Sequence, residues 1–525
     1  NYKKILNWSI KNSGKFWSSI WDYCKIKGTK SNIELIVSKI FYKNFFLPKS
    51  KLNFAENLIT KNNKSKAITF ISENGFREER NWLELNNNVS KIIKFFNKIK
   101  LKKNDRVAAY LPNFIETVEA FFATSSLGAI WSSCSPDFGI NGVIERFSQI
   151  KPKVLFIVDK YYYNGKEINV LERLPKILQT IKSIKHVVVI SYPGKKNILN
   201  KLKIKKIKIY HWKELSKIKP DKIKFSRFDF EHPIAILYSS GTTGKPKCIC
   251  HRSGGVLLQH KKEHQLHCDI KENDNVFYFT TCGWMMWNWM VSGLATGSTL
   301  VIYDGSPFYN DGSILWDLAE SENVTVFGVS AKYISAQEKA SIRPKLTHDL
   351  SSIKTILSTG SPLAPESFDY VYNDIKSDIQ LSSVSGGTDI ISCFVSGNPI
   401  LPVIRGELQC MGLGMAVEVF DDNGNSITEK DGELVCTESF PSMPIYFWND
   451  PDDHLYQNAY FTKYKGIWCQ GDFAVITKSK GMIIHGRSDT VLNPGGVRIG
   501  TADIYSQVEK FDQVLESIVI GQNWN

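Results

Sequence analysis

Nowhere do the 525 residues approach the ~20 consecutive apolar positions a membrane helix needs, so no span is expected. The opening stretch, NYKKILNWSIKNSGKFW, lacks the apolar core of a secretion signal. The ten cysteines include no C-x-x-C pair, which argues against a zinc ribbon or a redox couple. Their densest cluster, Cys248-x-Cys250-His251, has no second ligand pair at zinc spacing. Scattered thiols of this kind fit the reducing cytoplasm, which is the expected location. Acidic residues are outnumbered 52 to 66, leaving a net charge of +14 and raising nucleic-acid binding as a possibility. The excess peaks in NKLKIKKIKIYHWKEL (200–215), whose Lys/Ile alternation reads as a half-exposed strand with lysines on its wet face. Neither an aromatic-interleaved basic stripe nor a nucleic-acid module accompanies it, so no nucleic-acid partner is expected.

At 42% hydrophobic and 22% charged, the composition is that of a soluble globular chain, and its length suits roughly three to four folding units. DRVAAYLPN (105–113) reads as a strand ended by Pro112. FIETVEAFFATSSLG (114–128) then sets Ile115, Val118, Phe121 and Phe122 on one helical face, and AIWSS (129–133) resumes as a strand. This βαβ unit implies a parallel sheet. Further strands are expected at KVLFIVD (153–159), STLVIYDG (298–305), VTVFGVS (324–330) and KTILSTG (354–360). After about residue 405 the texture changes. Short segments with turns, such as AVEVFDDNGNSI (416–427), predict an antiparallel β-rich subdomain.

The stretch YSSGTTGKPK (238–247) combines two glycines, several hydroxyls and a lysine, which is the chemistry of an anion-holding loop. It is not a Walker A loop. Gly241 and Gly244 are separated by two residues, and Pro246 follows Lys245. The stretch resembles the signature loop of the adenylate-forming enzymes, which hold the β- and γ-phosphates of ATP while a carboxylate attacks the α-phosphate. Cys248 stands where many members carry Gly. Other motifs of that family follow in order over essentially the whole chain: STGSPLAPE (358–366), SGGTDI (385–390), WCQGD (468–472) and GRSDTVLNPGGVRIG (486–500).

The resemblance implies an α/β chain in which a large N-terminal adenylate-forming domain (1–488) stacks mixed and parallel sheets flanked by helices. The β-rich subdomain would cover about 405–488, and 489–525 would begin a small α+β lid. It implies that Ser239, Ser240, Gly241, Thr242, Thr243, Gly244 and Lys245 hold the leaving pyrophosphate, and that Gly360, Ser361 and Pro362 pack on adenine. Gly387 and Thr388 would meet the α-phosphate, with Asp389, in place of the commoner Glu, holding Mg²⁺. Asp472 and Arg487 would meet the ribose, Asp489 would be the hinge, and Arg498 would reach the ATP phosphates. Coenzyme A would pass Gly495 and Gly496, with Lys166 of YYNGK (162–166) at its nucleotide.

CGWMMWNWMVSGLATGSTLVIYDGSP (282–307) matches the acid-pocket segment of the acetyl-CoA synthetase branch, which implies that Trp284, Met285, Met286 and Asn288 line the pocket. Gly386 stands where that branch carries a bulky Trp, so room for a longer acid is expected. Thr359, Asn288 or a Trp indole N–H could donate to a polar group on that acid. Taken whole, GWMMWNWMVSGLATGS, SGGTDIISCFVSGNPILPV and NPGGVRIGTADIY resemble the members that activate acetoacetate, a four-carbon keto acid. The expected reaction joins acetoacetate to coenzyme A at the expense of ATP, through an acyl-adenylate and without a covalent enzyme intermediate. Another short acid, such as butyrate or propionate, and a nucleotide-binding remnant are the rival readings. The chain begins with Asn rather than Met, and family members continue past the equivalent of residue 525 into a lid that carries a further lysine. The 525-residue chain is therefore expected to be truncated, to bind nucleotide and to adenylate slowly.

Overall fold

The computed structural model describes residues 1–193, 207–239 and 245–488, together with a few scattered positions after 488. Two large sheets dominate. One has eight strands in the order Lys208–His211, His186–Ile190, Val154–Val158, Arg106–Tyr110, Ile130–Cys134, Pro233–Ser239, Lys247–Arg252 and Tyr446–Phe447. The other has seven, in the order Gln380–Ser383, Thr355–Thr359, Val326–Ser330, Asn275–Tyr278, Thr299–Asp304, Lys66–Ser72 and Arg77–Asn81.

The predicted βαβ unit is present. Arg106–Tyr110 and Ile130–Cys134 lie side by side in parallel, with the helix Ile115–Ser126 between them in sequence. That helix buries more than the one face its pattern marks. Thr117, Glu119, Thr124 and Ser126 are buried too, because the helix touches Ile130–Cys134 of one sheet and Lys66–Ser72 of the other. A helix enclosed between two sheets has no wet face, so its small polar residues bond their own backbone: Thr124 Oγ1 donates to Ala120 O (2.7 Å) and Ser126 Oγ to Phe122 O (2.7 Å).

In the seven-stranded sheet the five strands from Gln380–Ser383 to Thr299–Asp304 pair in parallel, so their carboxyl ends share one edge. That edge is where open α/β sheets place their ligands. The antiparallel texture expected after residue 405 appears as a four-stranded sheet: Val417–Phe420, Gly432–Cys436, Trp468–Ile476 and Met482–Arg487. A three-stranded sheet, Ser385–Gly387, Ser392–Ser396 and Cys410–Met411, precedes it in the chain.

Within the basic stretch, 200–206 lies outside the described residues. Lys208–His211 is a strand at the sheet's edge with Lys208 exposed, and from Trp212 the chain turns helical. Cys248, Cys250 and His251 all sit buried in the strand Lys247–Arg252, and no group of three potential metal ligands exists among the described residues. All ten cysteines are buried and free. No described helix is long and apolar enough to cross a membrane.

Candidate active site

Three successive features arise along the carboxyl edge of the seven-stranded sheet. After Asn275–Tyr278 the chain reaches Trp284, which precedes the helix Met285–Val291. After Thr355–Thr359 comes Gly360, with Ser361 and Pro362 exposed beside it. After Gln380–Ser383 comes the short strand Ser385–Gly387, leading into Thr388 and Asp389. Gly360 adopts φ +94°, a conformation that favours glycine. The point where its Cβ would stand lies 3.7 Å from Trp284 Cζ2 and 3.9 Å from Ser330 Cβ, so the indole covers this turn. Parallel topology thus gathers the STGSP segment, the leading residue of the Trp-rich segment and the SGGTD motif on one edge.

The Trp-rich segment divides by role. Trp284 is half-buried at the edge, whereas Met285, Met286 and Asn288 are buried. Trp287 donates to Asn113 Oδ1 (3.0 Å) and Trp289 to Glu263 Oε2 (2.8 Å), so both indole N–H groups are spent on the interior. Thr359 spends its hydroxyl on Val384 O (2.7 Å). Of the donors expected for a polar acid, this leaves the Trp284 indole and the Asn288 amide, whose Oδ1 is buried without a hydrogen-bond partner.

Gly386 differs from expectation. A Cβ there would stand 1.9 Å from Ser392 O and 2.6 Å from Cys393 Cα. The direction in which a side chain would leave Gly386 runs into the adjacent strand, at a register shift in the hairpin. Close backbone approach, rather than space left for a longer acid, is what the glycine serves.

Asp389 accepts a short hydrogen bond from Tyr460 Oη. Tyr460 is buried, stacks on Trp468 (centroids 3.8 Å apart, 13° between planes) and carries Lys247 Nζ 5.7 Å from its ring centroid. Lys247 is cross-strand partner to Ser239. Ser239 thus ends one strand of an antiparallel pair and Lys245 precedes the other, which reaches the Asp389 side through Lys247 and Tyr460. Lys245 is exposed. Ser240, Gly241, Thr242, Thr243 and Gly244 lie outside the described residues, as do Asp489, Gly495, Gly496 and Arg498. No sequence signal marks Tyr460: it lies 71 positions from Asp389, and only folding brings the two together.

Asp472 and Arg487 are set by strand register, directly opposite each other in the four-stranded sheet. Arg487 Nη1 lies 3.3 Å from Asp472 Oδ1 and donates to Gln470 O (2.9 Å). Burial pushes the Asp472 carboxyl up to about 7; Arg487 pulls against this, while Asp389 and Glu433 add to it. Asp389 and Asp472 therefore share one electrostatic neighbourhood. Gln470 joins it, since its Nε2 lies 3.0 Å from where a Cβ on Gly387 would be. The approach of a Gln side chain to glycine backbone explains why a small residue suits position 387.

Lys166 is exposed on a hairpin, opposite Tyr163. Its turn is pinned by Glu73, which accepts from Asn164 N (2.9 Å), Gly165 N (2.9 Å) and Ser306 N (2.8 Å). Glu73 and Ser306 follow Lys66–Ser72 and Thr299–Asp304, so this hairpin is anchored on the same carboxyl edge. Two strands, Asn275–Tyr278 and Val326–Ser330, separate Thr299–Asp304 from the Thr359 strand.

The stacked mixed sheets, the hairpin arms Ser239 and Lys247, Asp389 under Tyr460 and the Asp472–Arg487 pair are the frame of an adenylate-forming enzyme, and that class is borne out by comparison with known proteins. The sequence profile of the family described as AMP-binding enzyme matches residues 58–446. Acetoacetyl-coenzyme A synthetase of Rhizobium meliloti (strain 1021) is 48% identical over 524 residues, a match that spans 100% of this chain and 80% of that protein. Acetoacetyl-CoA synthetase of Gallus gallus is 43% identical, over 99% of this chain and 79% of that one. The solved structure of acetoacetyl-CoA synthetase from Streptomyces lividans superposes with a TM-score of 0.92 at 38% identity, covering 98% of this chain and 79% of the other. The chain belongs to the acetoacetyl-CoA synthetase family of AMP-binding enzymes.

Proposed function

We propose that this protein joins acetoacetate to coenzyme A in two steps. The acid's carboxylate oxygen attacks the α-phosphorus of ATP, forming acetoacetyl-AMP and releasing pyrophosphate. The thiol of coenzyme A then attacks the acyl carbon, forming the thioester and releasing AMP. The observation that carries the reading is the similarity to proteins named acetoacetyl-CoA synthetase, 48% identical in one case over 100% of this chain and 80% of that protein.

The residues suit the parts this chemistry needs. Positioning and neutralisation of developing charge are the main sources of rate in such displacements. Lys245 and Ser239, with Ser240–Gly244, would hold the leaving pyrophosphate, and Thr388 with the Gly387 backbone would steady the α-phosphate. Asp472, when ionised, accepts from both ribose hydroxyls, and Arg487 holds its carboxylate in place. Gly360, Ser361 and Pro362 would border the adenine, and Trp284 would wall the acid. Lys166, together with Gly495 and Gly496, would meet coenzyme A, with Arg498 on the phosphates and Asp489 as the hinge.

Asp389 fits Mg²⁺ as a single carboxylate. One of its oxygens is engaged by Tyr460, and no second acidic group completes a three-ligand protein cage among the described residues. Mg²⁺ is usually held by one or two carboxylates plus substrate phosphates, where it neutralises phosphate charge. The reading includes a cytoplasmic setting, supported by ten buried free thiols.

The test is AMP formation and thioester formation by the purified chain across acetoacetate, butyrate, propionate and acetate. Acetoacetate is expected to give the highest kcat/KM. Because any slow step common to all acids cancels in the ratio, equal values for butyrate and acetoacetate would replace the reading with a broader short-chain ligase.

A further inference from the structure

Behind the site lies a buried carboxylate that the reaction above does not use. Glu263 is 1% exposed and begins a π-helical turn, Glu263–His267, that continues the helix Ser253–Lys262. Such turns inside helices occur disproportionately at functional sites. Its two oxygens face different structures. Oε2 accepts from the indole of Trp289 (2.8 Å), on the helix led by Trp284. Oε1 accepts a short bond from Ser392 Oγ, with Gln259 Nε2 at 3.2 Å and Cys393 N at 3.4 Å.

Ser392 is not a neutral anchor. It is cross-strand partner to Gly387, and its carbonyl oxygen is the atom against which Gly386 packs. Fixing Ser392 therefore fixes the hairpin that runs into Thr388 and Asp389. Glu263, Met286, Trp289, Val384 and Cys393 also border an internal cavity of only about 10 Å³, which leaves the helix and the hairpin little slack. Burial alone would drive a carboxyl towards its neutral form. Here Lys262 and the Ser392 and Trp289 hydrogen bonds work against burial and hold Glu263 below its ordinary range.

We propose that Glu263 is a positioning residue for acid selection: its carboxylate clamps the helix led by Trp284 to the Gly386–Asp389 hairpin, and the spacing it sets decides which acyl group fits. The inference rests on the acid-activating function proposed above. A plain structural role would make Glu263 equally important for every ligand. A positioning role makes it matter for the choice among acyl groups: the α-phosphate contacts of the same hairpin are common to every adenylate and cancel in that preference, and the ribose pair stands on another sheet.

Calorimetric titration of the chain with non-hydrolysable acetoacetyl-, butyryl- and acetyl-adenylate analogues, and with AMP, separates the two. In Glu263→Gln the acetoacetyl analogue is expected to bind about tenfold more weakly and its preference over the acetyl analogue to shrink, while AMP, which shares only the α-phosphate contacts of the hairpin, weakens by less. Trp289→Phe, which cuts only the helix arm, is expected to shift the same preference by less. Combining it with Glu263→Gln is expected to add nothing, because the two substitutions break one link. Equal weakening of all four ligands, or an unchanged preference among the analogues, would overturn the proposal. Should Glu263→Gln fail to fold, Trp289→Phe is judged by the same preference. If the wild-type chain itself prefers another analogue, the acetoacetate reading falls, yet Glu263 is still judged by whether its substitution changes that preference.

Discussion

The two sides of the site are built by different means. On the seven-stranded sheet, Trp284, Gly360 and Thr388 follow three different parallel strands that end on one edge. On the four-stranded antiparallel sheet, Asp472 and Arg487 meet because strand register sets them directly opposite each other. The first arrangement spreads the site over more than 100 residues of chain and allows each loop to change separately. The second confines it to one pair, where any slip of register would move both partners at once. The edge of the seven-stranded sheet is thus the adaptable half, proposed above to take the acid, and the Asp472–Arg487 pair, proposed to take the ribose, is the fixed half.

The largest effect is expected on the fixed half. Asp472→Ala should weaken AMP binding by about 2–4 kcal/mol, since two hydrogen bonds to a charged acceptor are lost. The same carboxylate predicts a pH dependence. With its pKa pushed up to about 7, Asp472 is mostly protonated at pH 6 and ionised at pH 8. Ribose binding to the ionised form must then expel a proton below pH 7, so affinity should fall about tenfold between pH 8 and pH 6. Asp472→Asn should bind weakly at both values and lose that slope. Calorimetry at the two pH values checks both, and a slope that persists in the Asn variant would assign the titration to another group.

Next in size is the link from Tyr460 to Asp389. Tyr460→Phe removes the hydroxyl that orients the carboxylate, and losing a supporting partner of this kind typically costs about tenfold or more in metal affinity. The Mg²⁺ concentration for half-maximal adenylation should rise accordingly, with the acid preference unmoved. A changed acid preference would blur the division between the halves.

Gly386→Ala tests the adaptable half. If the glycine served only to leave room for acid, alanine would narrow the pocket and leave stability alone. The 1.9 Å approach to Ser392 O predicts instead a loss of about 1–3 kcal/mol of stability, read by denaturant unfolding. Thr359→Val is the mildest case. Its hydroxyl is spent on Val384 O, so about 1 kcal/mol of stability should go, and a selective loss of keto-acid binding would show that the hydroxyl serves the acid after all.

Much of this was legible from residue order. The parallel strands, the helix between Arg106–Tyr110 and Ile130–Cys134 and the antiparallel region near the end follow from local hydrophobic period and turn residues. The motifs were legible through their resemblance to those of the adenylate-forming enzymes. Less legible were the contacts that support them. Residue order left open which indole of GWMMWNWM could donate to the acid, and those of Trp287 and Trp289 are turned to buried partners. Gly386 looks like vacated space, yet a carbonyl of the neighbouring strand occupies it.

By itself the sequence determined the class of chemistry, because a phosphate-holding loop and its partner motifs are short, ordered strings whose glycines and hydroxyls carry their own physical reasons. It also determined the alternation of strands and helices, which is local. Only the tertiary structure decided which of those residues face the site. Tyr460 on Asp389, Arg487 opposite Asp472 and Glu263 between Trp289 and Ser392 join parts of the chain 71, 15, and 26 and 129 positions apart. No local pattern encodes such pairs. They are set by packing and register, and a buried carboxylate shows its purpose only once its partners can be named.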